Sequence, residues 1–187
     1  SVRGFKSFAD ATTLDLGRMA GAMAIATDVS SEDQIQAMAA AVIARFGRID
    51  ILHNNAAALG TAQRAGDRDV CNVDIAAWDV AMDVNARGAM LCCKHTVPQM
   101  LKNGGGSIIL MSSIDSFYAT PGGEIVYGMC KAGINNMTQT LAVELGQYNI
   151  RVNAIAPAVV ETPLTSPWLA TPEDRKLRSA FYPLRRV

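Results

Sequence analysis

Segments with strand-like and helix-like patterns alternate along this chain, and the alternation limits its possible folds more than any other sequence feature. The strand-like segments are residues 23–28, 49–55, 107–113 and 150–156. The stretches between them carry apolar residues at helical spacing. Strands that alternate with helices predict an α/β fold with a doubly wound parallel sheet.

The helices are delimited by capping residues and glycines. The predicted ranges are 30–47, 78–101 with an interruption near Asn85, and a long helix whose apolar stripe spans 130–145. Glycines at 104–106 stop the second helix, in whose last turn Pro98 sits awkwardly. Beyond the last strand, Pro163, Pro167 and Pro172 predict a loop region.

Composition and charge exclude several classes of function. Half of the residues are hydrophobic, and 17 basic residues balance 17 acidic ones. A chain without net charge has no field that would attract nucleic acid or an anionic membrane surface. Apolar runs are too short to span a bilayer, and no export signal is evident, so we expect a soluble, cytoplasmic protein.

The cysteines and histidines do not have the spacing of a metal site. The cysteines follow no CxxC pattern, and His53 and His95 are far apart in the sequence. Cys92 and Cys93 are adjacent, so they point to different sides of a helix. We therefore expect small buried thiols at Cys71, Cys92, Cys93 and Cys130, and no metal.

A polar residue closes or follows each strand-like segment. Ligands of doubly wound sheets bind beyond the carboxyl ends of the strands. We therefore expect four such residues to lie close together around one crevice: Asp28, Asn55, Ser113 and Thr162.

Tyr127 and Lys131 lie four residues apart in the segment YGMCK, so on a helix they share one face. An ammonium near a phenol favours the phenolate by lowering the phenol pKa from about 10. Such a phenol exchanges a proton with an alcohol. The alternative is a solvated lysine beside a half-buried tyrosine.

Two serines, Ser112 and Ser113, end the strand upstream of this helix and bring a hydroxyl towards its start. A hydroxyl there polarises a carbonyl. The alternative is a helix cap or a turn, and Ser116 can take either role.

Five motifs together resemble the short-chain dehydrogenase/reductase family. They are the segment 54–57 (NNAA), Asn85 in DVNARG, Ser113, YGMCK and the segment 153–162 (NAIAPAVVET), in the family's order and spacing. The resemblance covers most of the chain from Asp28 to about residue 165 and implies a Rossmann-like fold. It also implies a hydride transfer to or from a nicotinamide cofactor.

The same resemblance implies roles for individual residues. Tyr127 would be the general acid/base, Lys131 would lower its pKa and hold the nicotinamide ribose, and Ser113 would bind the reacting oxygen. Asn85 would anchor a proton-relaying water, and stabilising a helix kink is a compatible role for it.

The cofactor residues that the resemblance implies fall into three groups. Asp28 and Val29 would lie beside the adenine, Asn55, Ala56 and Ala57 along the adenosine, and Pro157, Val160 and Thr162 around the nicotinamide. Asp28 alternatively caps the turn before Ser30. Asp10 resembles the ribose-binding acid that favours NAD over NADP, and a solvated N-terminal Asp is its alternative.

The sequence departs from the family pattern in several places. No glycine-rich phosphate loop precedes Asp28, and the family's first and last strands are not evident, so we expect an incomplete Rossmann-like domain from a record truncated at both ends. Ala57 and Ala158 stand where the family has glycine, and a methyl group there would crowd the cofactor.

Two functions follow from these observations. The first is an NAD(P)-dependent oxidoreductase that interconverts a small apolar secondary alcohol and a ketone. The second is a non-catalytic family member that acts through subunit association. The family resemblance implies a homo-oligomer, a dimer or a tetramer, in both cases, and residues 164–187 correspond to the family's variable substrate lid.

Overall fold

The computed structural model describes residues 21–60, 65–67, 69–119 and 124–185. Within these ranges the chain forms two compact units, of which the first ends at Ile155 and the second begins at Ala156. Asp10 lies outside the described residues. Among the described residues, no helix combines the length and the apolar character that crossing a membrane requires.

The first unit contains a parallel sheet of three strands among its described residues. In sheet order these are β1 (Ile51–Asn54), β2 (Gly106–Met111) and β3 (Ile150–Ile155). Leu52 lies opposite Ile108, and Ile108 lies opposite Val152. The loops that follow β1 and β2 therefore leave the sheet at the same edge, and the predicted parallel α/β architecture is confirmed.

Helices connect the strands in the predicted order. They are α1 (Glu32–Phe46), α2 (Ile75–Ala81), a π-helical turn (Met82–Arg87), α3 (Gly88–Lys102) and α4 (Ile125–Leu145). The Ser31 side chain caps α1 by accepting a hydrogen bond from the Gln34 N–H group, and Gly47 ends the helix with a φ of 76°.

The main core lies between these helices and one face of the sheet. Its buried residues are Leu52, Ile108 and Val152 from the strands, with Ile35 and Met38 from α1, Leu91 and Met100 from α3, and Ile134 and Leu145 from α4. The alternate residues of the strands are less buried, and Ile155 is 49% exposed. The helices α1, α3 and α4 therefore cover one face of the sheet.

Residues 23–28 do not form the strand that was predicted for them. A strand requires a neighbouring backbone with which to exchange hydrogen bonds. Among the described residues, β1 pairs with β2 and no strand pairs with 23–28. The segment is nevertheless anchored, because Ile25 and Val29 pack against the core.

The position of Pro98 inside a helix agrees with the prediction, whereas that of Pro172 does not. Pro98 lies inside α3 and is exposed, and the helix continues past it to Lys102. Pro172 begins a short helix, α5 (Pro172–Ser179), within the region predicted to be a loop. Proline suits the first turn of a helix because its missing N–H group has no intrahelical acceptor there.

The second unit is organised around this helix. Thr171 and Asp174 cap α5 reciprocally, each side chain bonding the other residue's backbone N–H group. Arg175 forms an ion pair with Glu161 at 2.5 Å, and the Val159 N–H group donates to the Tyr182 hydroxyl at 3.2 Å. The substrate-lid role of residues 164–187 stays a prediction.

Candidate active site

Tyr127 and Lys131 lie in the first two turns of α4 and share one face, as their spacing predicted. The Lys131 ammonium nitrogen lies 5.4 Å from the centroid of the Tyr127 ring, within the range of a cation–π interaction. Tyr127 is partly buried, and Lys131 is only 3% exposed. A solvated lysine, the alternative considered for this pair, is therefore ruled out.

The buried ammonium of Lys131 is held at the end of β2. Its Nζ donates a hydrogen bond of 2.6 Å to the Met111 carbonyl oxygen. Loss of hydration on burial lowers the pKa of Lys131 from 10.5 to about 8. Neutral pH lies below this value, so the lysine still carries its charge there. The effect of that charge on the ionisation of Tyr127 stays a prediction.

Ser113 follows β2 and is buried. Its Oγ accepts a hydrogen bond from the Asp115 N–H group at 3.2 Å and donates to the Asp115 carboxylate at 3.1 Å. Ser113 thereby caps a 3-10 turn, Ile114–Ser116. The capping role, one of its two predicted roles, is confirmed, and the binding of a reacting oxygen stays a prediction.

A hydrogen-bond network fastens this turn to α4. The Ser112 hydroxyl has two acceptors within reach of its single proton, the Lys131 carbonyl oxygen at 3.1 Å and the Ser116 hydroxyl oxygen at 3.2 Å. Ser116 donates to the Ser113 carbonyl at 2.5 Å and accepts from the Asn135 amide at 2.8 Å. The sequence did not reveal Asn135, because any polar residue on a helix surface carries the same signal.

Asn85 lies in the π-helical turn and is buried. Its Oδ1 accepts from the Ala58 N–H group at 2.8 Å, and its Nδ2 donates to the Ala58 carbonyl at 3.3 Å. The predicted interruption near Asn85 is confirmed as a π-helical turn, a feature that often marks functional sites. The anchoring of a water molecule by Asn85 stays a prediction.

The loop after β1 and the start of α3 meet at the same edge of the sheet. The buried Asn54 donates through Nδ2 to the Ala89 carbonyl at 2.9 Å, whereas Asn55 and Ala57 are exposed and Ala56 is partly buried. A Cβ atom on Gly88 would lie 2.7 Å from the Val29 carbonyl oxygen. Gly88 therefore allows the segment containing Val29 to approach α3 closely.

Asp28 organises the turn before α1. Its Oδ1 accepts from the Ser30 N–H group at 2.9 Å and from the Ser30 hydroxyl at 2.7 Å. These hydrogen bonds lower the pKa of the exposed Asp28 carboxyl group. The turn-capping role is confirmed, and the adenine contacts of Asp28 and Val29 stay predictions.

Three further cofactor candidates belong to the second compact unit. Pro157, Val160 and Thr162 belong to the second unit, where the Thr165 hydroxyl accepts from the Thr162 N–H group at 2.9 Å. Their predicted positions around a nicotinamide, and the proximity of Thr162 to Ser113, stay predictions.

Asp67 is a buried carboxylate that the sequence did not single out. It is 1% exposed, and it accepts hydrogen bonds from the Val126 and Tyr127 N–H groups at 2.8 and 2.9 Å. The residues are 59 and 60 positions apart, so no local motif connects them. The carboxylate occupies the N-terminus of the helix that carries Tyr127.

The buried cysteines do not take part in this site. Cys92, Cys93 and Cys130 are buried, as predicted, whereas Cys71 is exposed, so that part of the prediction is wrong. Burial raises the thiol pKa of Cys92 to about 11, of Cys93 to about 12 and of Cys130 to about 11. These thiols are therefore protonated and unreactive at neutral pH.

Two concave surfaces flank α4. A groove of about 250 Å³ between α3 and α4 is lined by residues that include Met90, Val97, Met137 and Leu141. A cleft of about 410 Å³ beside the start of α4 is lined by residues that include Phe117, Tyr118 and Met129. Tyr127 and Lys131 line neither surface, so side-chain chemistry, and not concavity, identifies the candidate site.

Comparison with known protein families gives an independent result. A family model described as "Enoyl-(Acyl carrier protein) reductase" matches residues 6–187. The match includes the three strands and the helix that carries Tyr127.

Individual proteins match as well. The chain is 39% identical over 140 residues to the 3-oxoacyl-(acyl-carrier-protein) reductase of Thermotoga maritima, covering 74% of this chain and 53% of that protein. It is 35% identical over 163 residues to the 2-(R)-hydroxypropyl-CoM dehydrogenase of Xanthobacter autotrophicus, covering 87% and 64%. The chain thus spans about half to two thirds of the length of these relatives.

A solved structure has the same fold. A protein of Burkholderia xenovorans, described as a short-chain dehydrogenase/reductase, superposes with a TM-score of 0.71 at 31% identity. The superposition covers 78% of this chain and 53% of that protein.

Proposed function

Since the chain belongs to the short-chain dehydrogenase/reductase family, we propose that it contributes the proton-transfer site of an NAD(P)-dependent oxidoreductase. The reaction is the interconversion of a secondary alcohol and a ketone. The observation that carries the proposal is the buried Lys131 ammonium beside the Tyr127 ring, 5.4 Å from its centroid.

In the direction of reduction, the Tyr127 hydroxyl donates a proton to the oxygen of the substrate carbonyl. In the direction of oxidation, the Tyr127 phenolate accepts the proton of the alcohol. Lys131 favours the phenolate because its positive charge lies in a buried site, where screening by water is weak. The Met111 carbonyl fixes that charge in place.

Ser113 orients the substrate oxygen in this proposal. Its hydroxyl exchanges hydrogen bonds with Asp115, so substrate binding requires the hydroxyl to turn away from the Asp115 carboxylate. The network through Ser112, Ser116 and Asn135 supports this step, because it fixes the backbone of the 3-10 turn while the hydroxyl rotates.

The donor groups present fit a nicotinamide dinucleotide. An ammonium has three N–H donors, and the Met111 carbonyl accepts one of those of Lys131. The others suit the hydroxyls of a ribose. When bound, the nicotinamide supplies or accepts the hydride.

Other residues would hold the adenosine side of the cofactor. Asn55, Ala56 and Ala57 follow β1 at the carboxyl edge of the sheet, the edge where dinucleotides bind. Asp28 and Val29 lie in the turn that packs against the start of α3. Pro157, Val160 and Thr162 would complete the nicotinamide end, and Asp10 would favour NAD over NADP.

The reaction is tested by incubating the purified protein with NADH or NADPH and a panel of small apolar ketones. We expect loss of reduced-nicotinamide absorbance, with one alcohol formed for each cofactor oxidised. Consumption of NADH but not NADPH supports the role of Asp10. Absence of ketone-dependent oxidation with both cofactors would contradict the proposal.

A second candidate function is subunit association without catalysis. The apolar groove between α3 and α4, and exposed Met90 beside it, favour contact with a second copy of the chain. Titration of the protein with NADH separates the two functions. Saturable enhancement of cofactor fluorescence supports the oxidoreductase, and its absence supports the non-catalytic alternative.

For the substrate and the cellular location, we propose only a class of compound and a compartment. A small apolar alcohol or ketone agrees with the exposed Phe117, Tyr118 and Met129 around the cleft beside α4. From the sequence, we propose that the protein is located in the cytoplasm.

A further inference from the structure

We propose that Asp67 is a positioning residue for Tyr127, acting by holding the N-terminus of α4 in place. This inference rests on the proposed function of Tyr127. The inference adds to the proton-transfer site a residue from a distant part of the chain. Asp67 belongs to the loop between β1 and α2 and contacts the backbone of the residue that transfers the proton.

The contacts of Asp67 are specific. One carboxylate oxygen accepts from the Val126 N–H group at 2.8 Å, and the other accepts from the Tyr127 N–H group at 2.9 Å. Each oxygen therefore fixes one of the N–H groups that have no acceptor within a helix. The N-cap residue of α4, Glu124, makes no capping hydrogen bond through its side chain. Asp67 takes over that role.

Charge and burial make this contact stronger than an ordinary cap. The N-terminus of a helix carries partial positive charge, which favours an adjacent carboxylate. Asp67 is 1% exposed, so water neither competes for its hydrogen bonds nor screens its charge. The backbone of Tyr127 is therefore fixed directly, rather than through the rest of the helix.

Asp67 is itself fixed by the residue before it. The Gly66 carbonyl accepts a hydrogen bond of 2.9 Å from the Asp74 N–H group, at the N-terminus of α2. A Cβ atom on Gly66 would lie 2.7 Å from the Ala77 Cβ. Only glycine fits there without displacement. The turn at 66–67 thus joins the first turns of α2 and α4.

This arrangement has a chemical consequence for Tyr127. A displacement of about 1 Å at a reacting group lowers the rate of an enzyme by about 100-fold. The negative charge of Asp67 also disfavours the Tyr127 phenolate, opposite to the effect of Lys131. Loss of that charge is therefore expected to lower the pH at which Tyr127 ionises.

Other ionisable groups near this helix stay in place when Asp67 is changed. The elements packed against α4 carry Asp79 on α2, Asp83 paired with Arg87 in the π-helical turn, Asp115 in the 3-10 turn and Arg151 on β3. Glu124, Cys130 and Lys131 lie at the start of α4 or on it. Because these groups are present in both the wild type and the variant, they do not account for a difference in the pH at which Tyr127 ionises.

The experiment compares the wild type with Asp67→Asn, Asp67→Ala and Asp69→Asn. Asp69 is the matched control, because it is an exposed aspartate of the same loop whose carboxylate bonds Asn72. The first measurement is the ultraviolet titration of tyrosinate, with Tyr127→Phe identifying the contribution of Tyr127. The second is turnover with cofactor and ketone, separated into kcat and the KM for the cofactor.

We expect Asp67→Asn to move the ionisation of Tyr127 to lower pH and to lower kcat by about 10- to 100-fold, with the KM for the cofactor unchanged. Asp67→Ala lowers kcat further, and Asp69→Asn matches the wild type. If Asp67→Ala does not fold, Asp67→Asn decides, since it keeps the shape and one acceptor oxygen.

An Asp67→Asn protein with wild-type helix content, kcat and Tyr127 titration would overturn the inference. The titration needs no substrate or cofactor. A wild type without turnover therefore contradicts the proposed function, whereas an unchanged titration together with unchanged helix content and kcat contradicts the role of Asp67.

Discussion

At the scale of single residues, Lys131 illustrates why a functional group is kept at the expense of stability. Its ammonium is buried, and the hydrogen bond to the Met111 carbonyl replaces only part of its hydration. The lowered pKa, about 8, reflects this loss. The Tyr127 ring lies beside this cation, with its centroid 5.4 Å from the ammonium nitrogen, and we propose that the cation acts on Tyr127.

Replacing Lys131 by methionine therefore gives a testable change in stability. Methionine fills similar space without a charge, so we expect Lys131→Met to raise the free energy of unfolding at pH 7 by about 1–3 kcal/mol. Urea denaturation of both proteins measures the difference. If Lys131→Met is less stable than the wild type, burial of the charge is not the main effect of Lys131 on the free energy of unfolding.

The pH dependence of this difference follows from the pKa of Lys131. Between pH 8 and pH 10.5 the unfolded chain keeps the proton that the folded chain loses. Because the unfolded state then binds more protons, stability of the wild type relative to Lys131→Met rises with pH in this interval. Below pH 8 the difference is constant. The thiols of Cys92 and Cys93 titrate equally in both proteins. The thiol pKa of Cys130, which Lys131 lowers, is about 11 and lies above this interval, so parallel stability curves from pH 8 to pH 10.5 would contradict this assignment.

The spacing of Tyr127 and Lys131 is readable along the chain, and the family resemblance supported this pair and added Ser113 to it. It did not predict Asp67, which reaches α4 across 59 residues. Gly, Asp and Arg in a loop indicate turns. Which of the acids there is buried depends on tertiary packing, and the sequence does not encode that in a local pattern.

At the scale of elements, the π-helical turn is hydrogen-bonded to the loop that follows β1, and both belong to the connection between β1 and β2. Asn85 bonds both backbone groups of Ala58, so the loop after β1 and the helix before α3 move as one. The sequence indicated an interruption of the helix near Asn85, but not that Asn85 forms hydrogen bonds with Ala58. Residues 23–28 were wrongly predicted to form a strand, because their apolar pattern does not show whether a neighbouring strand is available for pairing.

Truncating Asn85 tests this connection. Asn85→Ala leaves the N–H and carbonyl groups of Ala58 without these partners in a partly buried site, so we expect a loss of about 1–3 kcal/mol in the free energy of unfolding. Urea denaturation provides the measurement. Asn136→Ala, at an exposed position of α4, is the control and should change little, since alanine favours helices. Equal effects of the two substitutions would argue against the bridge to Ala58.

At the scale of the whole molecule, one sheet edge and one helix-covered face organise the first compact unit. Parallel strands in register bring the loops after β1 and β2 together, and this could be predicted from the alternation of elements alone. The order of the strands and the division of the chain into two compact units could not be predicted in this way, since both depend on contacts between distant segments.

Self-association is expected through the groove between α3 and α4. Met90 lines the groove and is 43% exposed, so Met90→Arg is tolerated in a single copy but places a charge within an interface. Light scattering should give an oligomer for the wild type and a smaller mass for Met90→Arg. Leu177→Arg, an exposed position of α5, is the control. Equal masses for the wild type and Met90→Arg would locate association elsewhere or exclude it.

The most direct measurement is ketone-dependent oxidation of NADH or NADPH by the wild type, Tyr127→Phe and Tyr148→Phe. Tyr148 is 49% exposed, follows α4 and has no assigned role. If Tyr127 transfers the proton, Tyr127→Phe lowers kcat by about 100- to 10,000-fold while still binding cofactor, and Tyr148→Phe keeps wild-type turnover. Wild-type turnover by Tyr127→Phe would contradict the assignment of Tyr127 as the acid and base.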